Sequence, residues 1–173
     1  MKSTDTLVQL NIEFLRQGRT LLGQLDDQAY TACDPPVYNS GIGEHMRHIL
    51  EHYELFVDGL STGFIDYDAR RRDAAVSSSC DSAMECIDSI IASLSVVDDA
   101  DRPVEVKLAA SKYRDRDDPK SDSTVKRELQ YLQAHTIHHF ALIAMILRMR
   151  ELDVPDDFGV APSTLQFRMS ERA

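Results

Sequence analysis

Cysteine, glycine and proline are all scarce in this chain of 173 residues, numbering 3, 7 and 6, and each shortage excludes something. Cys33, Cys80 and Cys86 form no CxxC pair and leave an odd one over, which excludes the dense, even disulfide framework of a small secreted domain. A reducing cytoplasm is the expected compartment. Positive charge is also short, with 19 Lys and Arg against 29 Asp and Glu and a net charge of −10. That balance repels phosphate backbones and anionic lipid, so neither nucleic acid nor a membrane is expected as a partner. The basic run Arg70-Arg71-Arg72 is bracketed by Asp66, Asp68 and Asp73 and reads as a self-neutralised loop. No apolar run approaches the roughly 18 residues of a membrane span. Ser3, Thr4, Asp5 and Thr6 stand where a signal peptide needs apolar residues.

What remains is an ordinary globular composition, 43% apolar and 28% charged, with a length that suits one domain over residues 1–173. The few glycines and prolines punctuate four long stretches of helical periodicity. Residues 4–25 carry Leu7, Leu10, Phe14, Leu21, Leu22 and Leu25 on one stripe. After Asp34-Pro35-Pro36, Asn39 or Ser40 can cap a second helix. It carries Ile42, Met46, Ile49, Tyr53, Phe56 and Leu60, and Gly59 and Gly63 close it. Ser79 or Asp81 starts a third, with Met84, Ile87, Ile90, Ile91 and Leu94, ending near Ser95. The alternation over residues 103–108 admits a minor hairpin, while the polar stretch 111–123 reads as a loop. Ser123 or Thr124 caps a fourth helix over residues 125–151, with Tyr131, Leu132, Leu142, Ile146 and Met149 on one face. The tail, residues 154–173, lacks a helical period and is expected to lie extended across the bundle, its extreme end frayed.

All six histidines fall in two windows, Gly43-Glu-His-Met-Arg-His-Ile-Leu-Glu-His and His135-Thr-Ile-His-His. In the fourth helix His135 and His139 are one turn apart on the apolar side, at about 100 degrees per residue. His138 is rotated to the edge of that stripe and reads as a boundary residue. Two imidazoles stacked in an apolar core leave ring nitrogens poorly hydrated, and a metal ion satisfies one on each ring. Hydrogen bonds to a carboxylate or a backbone carbonyl would do the same. Glu128, two turns earlier, reads as a first-turn acid favoured by the helix dipole or as the polar wall of a cavity. In the second helix His45, His48 and His52 share one side. His45 and His52 lie nearer the apolar stripe, and His48 lies toward the flank of Glu44 and Glu51. Spacing alone does not choose among them.

With these residues in view, Gly41-Ile-Gly-Glu-His-Met-Arg-His48-Ile and His135-Thr-Ile-His-His139 are similar to the two motifs of the DinB-like (DinB/YfiT-type) family. That family comprises metal-binding four-helix bundles related in fold to mycothiol- and bacillithiol-dependent enzymes. The resemblance covers nearly the whole chain and implies an all-α four-helix bundle, up-down-down-up with unequal connections. It implies His48, His135 and His139 as ligands of one divalent ion. Many relatives continue the HxxxH with Arg-Gly-Gln, where this chain has Phe140-Ala-Leu-Ile, so a substrate contact by that arginine does not carry over. Asp66-Tyr-Asp-Ala-Arg and Phe158-Gly-Val-Ala-Pro-Ser-Thr also look like segments of one subgroup.

Three neutral imidazoles with open positions suit Zn²⁺, Ni²⁺ or Fe²⁺. The expected function is a metal-dependent hydrolase or thiol transferase acting on a small molecule such as a thiol. The alternative is a non-catalytic metal-binding or stress-response bundle. Tyr38, Tyr53, Glu44 and the three cysteines read as packing or solvated residues rather than site residues. A homodimer is compatible with exposed helix faces, although no interface is identified.

Overall fold

The computed structural model describes residues 3–109 and 119–171. Four long helices dominate: α1 (Ser3–Leu22), α3 (Ile42–Thr62), α5 (Cys80–Leu94) and α6 (Val125–Met149). Short helices α2 (Asp27–Thr31), α4 (Ala74–Ser78) and α7 (Pro162–Ser170), with strands β1 (Phe64–Asp66), β2 (Pro103–Lys107) and β3 (Lys120–Thr124), complete the described elements. The protein is mostly helical with one small sheet. No helix among the described residues is long and apolar enough to cross a membrane.

The caps follow from side-chain chemistry. Ser79 Oγ accepts from Ser82 N at the start of α5, and Thr124 Oγ1 accepts from Arg127 N at the start of α6, each satisfying a donor with no intrahelical partner. The second long helix departs from expectation, because its cap is Gly41 rather than Asn39 or Ser40. Glu44 reaches back so that its Oε2 accepts from Gly41 N at 2.8 Å, which supplies half of a capping box without a capping hydroxyl.

Each long helix packs on two others: α3 on α5 and α6, and α1 on α5 and α6. Their inward faces join in one apolar core that includes Ile12, Leu15, Met46, Ile49, Phe56, Ile87, Leu132 and Ile143. Met149, expected on the core face of α6, is 52% exposed because it lies in the last turn.

The hairpin exists, with β2 antiparallel to β3 and Pro103 opposite Thr124. Its second strand, Lys120–Thr124, falls in the stretch read as a loop, and residues 110–118 lie outside those described. β1 pairs parallel to β2, with Phe64 opposite Glu105, in a segment for which the sequence suggested no strand. Both strands are short and one is wholly polar, so neither carried a readable alternation. The tail is corrected too. It contains α7, which has Pro162 in its first turn and buries no residue, so it had no apolar period to display. The segment before it does lie across α6, where Phe158 stacks on Phe140 with centroids 4.3 Å apart. At Gly159, with φ +71°, an added Cβ would come 2.5 Å from Ala141 N, so only glycine fits.

One buried polar network joins three helices. Asn11 Nδ2 donates to Leu7 O and, across the core, to Leu129 O at 3.1 Å. Tyr53 OH donates to Asn11 Oδ1 at 2.7 Å and lies 3.1 Å from Thr136 Oγ1, which itself donates to Leu132 O. All three side chains are fully buried. Tyr53→Phe would leave Asn11 Oδ1 without its donor, and the expected loss is about 1–3 kcal/mol, read as a lower denaturant midpoint with helicity intact below the transition.

Candidate metal centre

The histidines of α3 and α6 face each other across one helix pair, and their mutual distances follow from the register that the Tyr53 network sets. The rings of His48, His135 and His139 form a near-equilateral triangle, with centroids 4.8, 4.6 and 4.6 Å apart. His52 joins them, 4.5 Å from His48 and stacked on His135 at 4.3 Å. The nitrogens of His48, His52 and His135 all lie within 4.8 Å of one another and could together hold a metal ion. His138, as its wheel position implied, is exposed at the edge.

The other ring nitrogens are oriented by neighbours. His52 Nδ1 lies 2.8 Å from His48 O. A carbonyl only accepts, so this Nδ1 carries the proton and Nε2 keeps its lone pair, the tautomer a ligating imidazole needs. His45 Nδ1 lies 3.0 Å from His139 Nδ1, so one of these two nitrogens must donate. His135 Nε2 is buried with no hydrogen-bond partner. An orphaned imidazole nitrogen is costly in such a place, and a divalent cation fits it and the donor set around it.

Burial holds these rings neutral. It lowers His48 to about 2, helped by the charges of His52 and Arg70. It lowers His135 to about 4, with His52 and His138 adding to the effect. His139 falls to about 3, with His135 and His45 adding. His45 and His52 are also lowered, chiefly by burial. Neutral imidazole is the ligating form, and it persists here through the whole physiological range.

A wall from outside the two helices closes one side. Tyr67, which follows β1 and is 2% exposed, stacks on His52 with ring planes 18° apart and centroids at 5.3 Å. Its hydroxyl donates to Glu128 Oε2 at 2.9 Å. Tyr131 lies 5.2 Å from Tyr67 and 5.5 Å from His135. Glu128 also accepts from Ser123 Oγ, so it is both the acid of the first turn of α6 and a buried wall residue. Behind Tyr67 and Tyr131 lies a cavity of about 510 Å³ lined also by Val106, Ser121, Arg127 and Glu128.

Glu51 overturns the expected polar flank. It is 3% exposed, covered by Arg70, whose Nε donates to Glu51 Oε2 at 2.7 Å. Arg71 pairs with Asp58, so the basic run is neutralised mainly by α3 rather than by its own bracketing acids. Tyr53 is a structural residue. Glu44 works as a cap, and Tyr38 OH is buried without a partner. Cys80 is buried and Cys86 half-buried, as packing residues should be, whereas Cys33 is exposed.

No family model matches this chain. A stretch of 44 residues is 52% identical to part of FK506-binding protein 5 of Rhizopus delemar, amounting to 25% of this chain and 11% of that protein. So short a match carries neither a fold nor an activity across. The site must therefore be read from its own chemistry.

Because folding lowers the histidine values below their unfolded value near 6.5, the unfolded chain binds more protons than the folded one between 6.5 and the folded values. Their contribution to stability is complete above about pH 6.5 and is lost as the pH falls toward the folded values of about 4, 3 and 2. The metal-free protein should show a denaturant midpoint that drops from about pH 6.5 downward. The drop should be shallower in His48→Leu. Parallel curves for the two proteins would show that His48 is not held neutral by the fold.

Proposed function

We propose that this chain is a DinB-like four-helix bundle in which one divalent ion, Zn²⁺, Ni²⁺ or Fe²⁺, is held between α3 and α6 for hydrolysis or thiol transfer on a small molecule. The observation that carries this reading is the unpartnered His135 Nε2 within a group of imidazoles whose nitrogens lie within 4.8 Å of one another. His48 and His135 belong both to that group and to the ligand set that the sequence motifs imply. The third place is contested by His139, favoured by the motif and by its ring's equal distances from His48 and His135, and by His52, favoured by its oriented Nε2.

An ion held by neutral imidazoles keeps its full charge and supplies Lewis acidity, lowering the pKa of bound water toward about 7 or keeping a thiol as its thiolate. The chain's own part is to keep the rings unprotonated, fix their tautomers through His48 O and His45, and exclude water from one side with Tyr67 and Tyr131. A second reading, a metal-binding or stress-response bundle without catalysis, is favoured by one observation. The His45–His139 and His52–His48 contacts already satisfy part of the cluster without a reaction to perform.

Metal analysis of untagged protein tests the central claim. About one ion per chain is expected, with affinity falling about tenfold to a hundredfold or more in His48→Ala and His135→Ala and unchanged in His138→Ala. Comparing His52→Ala with His139→Ala assigns the third ligand. Protein grown in metal-supplemented medium that carries no stoichiometric ion would overturn the proposal.

A further inference from the structure

The segment Asp66-Tyr-Asp-Ala-Arg wraps the histidine cluster from outside, and the proposed reaction does not yet use its last residue. Tyr67 stacks on His52, which fixes where this segment passes. Three residues on, Arg70 is pinned to Glu51, the neighbour of His52 and one turn beyond His48 on the same helix. The ion pair is only half used. Arg70 donates through Nε alone to one oxygen, Oε2, although a guanidinium and a carboxylate readily form two parallel bonds. Its terminal nitrogens make no side-chain bond among the described residues, and the Arg70 side chain keeps 23% exposure.

We propose that Arg70 is a recognition point for a carboxylate carried by the substrate, so that the centre takes small anionic molecules, the simplest being a mercaptocarboxylate with its thiolate on the metal. The inference rests on the metal reading above and names its substrate class. Charge supports it. Three neutral imidazoles leave a divalent ion with its charge of +2 uncompensated, and the Arg70–Glu51 pair adds none. A molecule with two negative groups therefore fits where a neutral one leaves the centre unbalanced. Geometry supports it also, because Glu51 holds Nε and thereby presents the opposite, two-nitrogen edge of the guanidinium, the edge that matches a carboxylate.

The test uses full-length protein loaded with Co²⁺ and titrated with 3-mercaptopropionate and with its methyl ester, reading the sulfur-to-cobalt absorption. The free acid is expected to bind about tenfold tighter than the ester or better, and that ratio should fall to near unity in Arg70→Met. Because Arg70→Met strands the buried Glu51 carboxylate, Glu51→Gln with Arg70→Met in one chain serves as a second variant, with helicity checked by circular dichroism. It should show the same collapsed ratio. A ratio unchanged in both variants, with normal cobalt spectra, would overturn the role of Arg70 alone. Wild-type protein that gives no cobalt spectrum would overturn the metal centre and this inference with it.

Discussion

The register of α3 against α6 is the constraint on which the rest of the structure depends, and the Asn11–Tyr53–Thr136 network is what fixes it. Apolar contacts between two helices tolerate small slides, because they are non-directional. Hydrogen bonds buried in a low dielectric do not, because a slide leaves donors or acceptors unpaired at a cost of about 1–3 kcal/mol each. Tyr53 stands next to His52, and Thr136 stands next to His135. Tyr53 OH donates to Asn11 Oδ1 and Asn11 Nδ2 donates to Leu129 O of α6, so the two histidine windows are held opposite each other through Asn11. Asn11 adds α1 through Leu129 O, so three of the four long helices are aligned by directional bonds.

That alignment forces several imidazoles into a partly dry space, which is unfavourable unless they stay neutral and find partners. The structure answers in layers. Burial and the proximity of like groups lower His48, His135 and His139 far below the ordinary histidine value. His52 donates from Nδ1 to a backbone carbonyl, and one of His45 and His139 donates to the other. Among these imidazoles, His135 keeps a buried nitrogen with no partner. A cluster built only for stability would have little reason to leave it so, since an apolar side chain of similar volume avoids the penalty altogether. The orphaned nitrogen is open to a metal ion, which it could hold together with His48 and His52.

Much of the helical frame was legible, because caps and apolar spacing are local. Ser79, Thr124 and the close of α3 at Gly63 needed nothing beyond neighbouring residues. The HxxxH on α6 was legible for the same reason, as i and i+4 share a face in any helix. What stayed hidden depends on contacts distant in sequence. β1 pairs with β2 some forty residues away, and its three residues hold too little pattern to announce a strand. Glu51 looked like a solvated flank because no local rule reveals that residues 66–71 return to cover it. The same segment reaches the neighbouring His52, on which Tyr67 stacks, while Arg70 pairs with Glu51.

The small sheet therefore matters more for the centre than its size suggests. Pairing with β2 fixes β1, and β1 delivers the chain directly into Tyr67, whose backbone N donates to Lys107 O. With the backbone anchored there, Tyr67 has few ways to place its ring, and stacking on His52 while donating to Glu128 uses both its face and its hydroxyl. Glu128 in turn is seated by the start of α6 and by Ser123 of β3. Sheet, tyrosine and helix thus close a loop of contacts around one side of the imidazole cluster. At another edge of the cluster His138 is exposed and His45 meets His139.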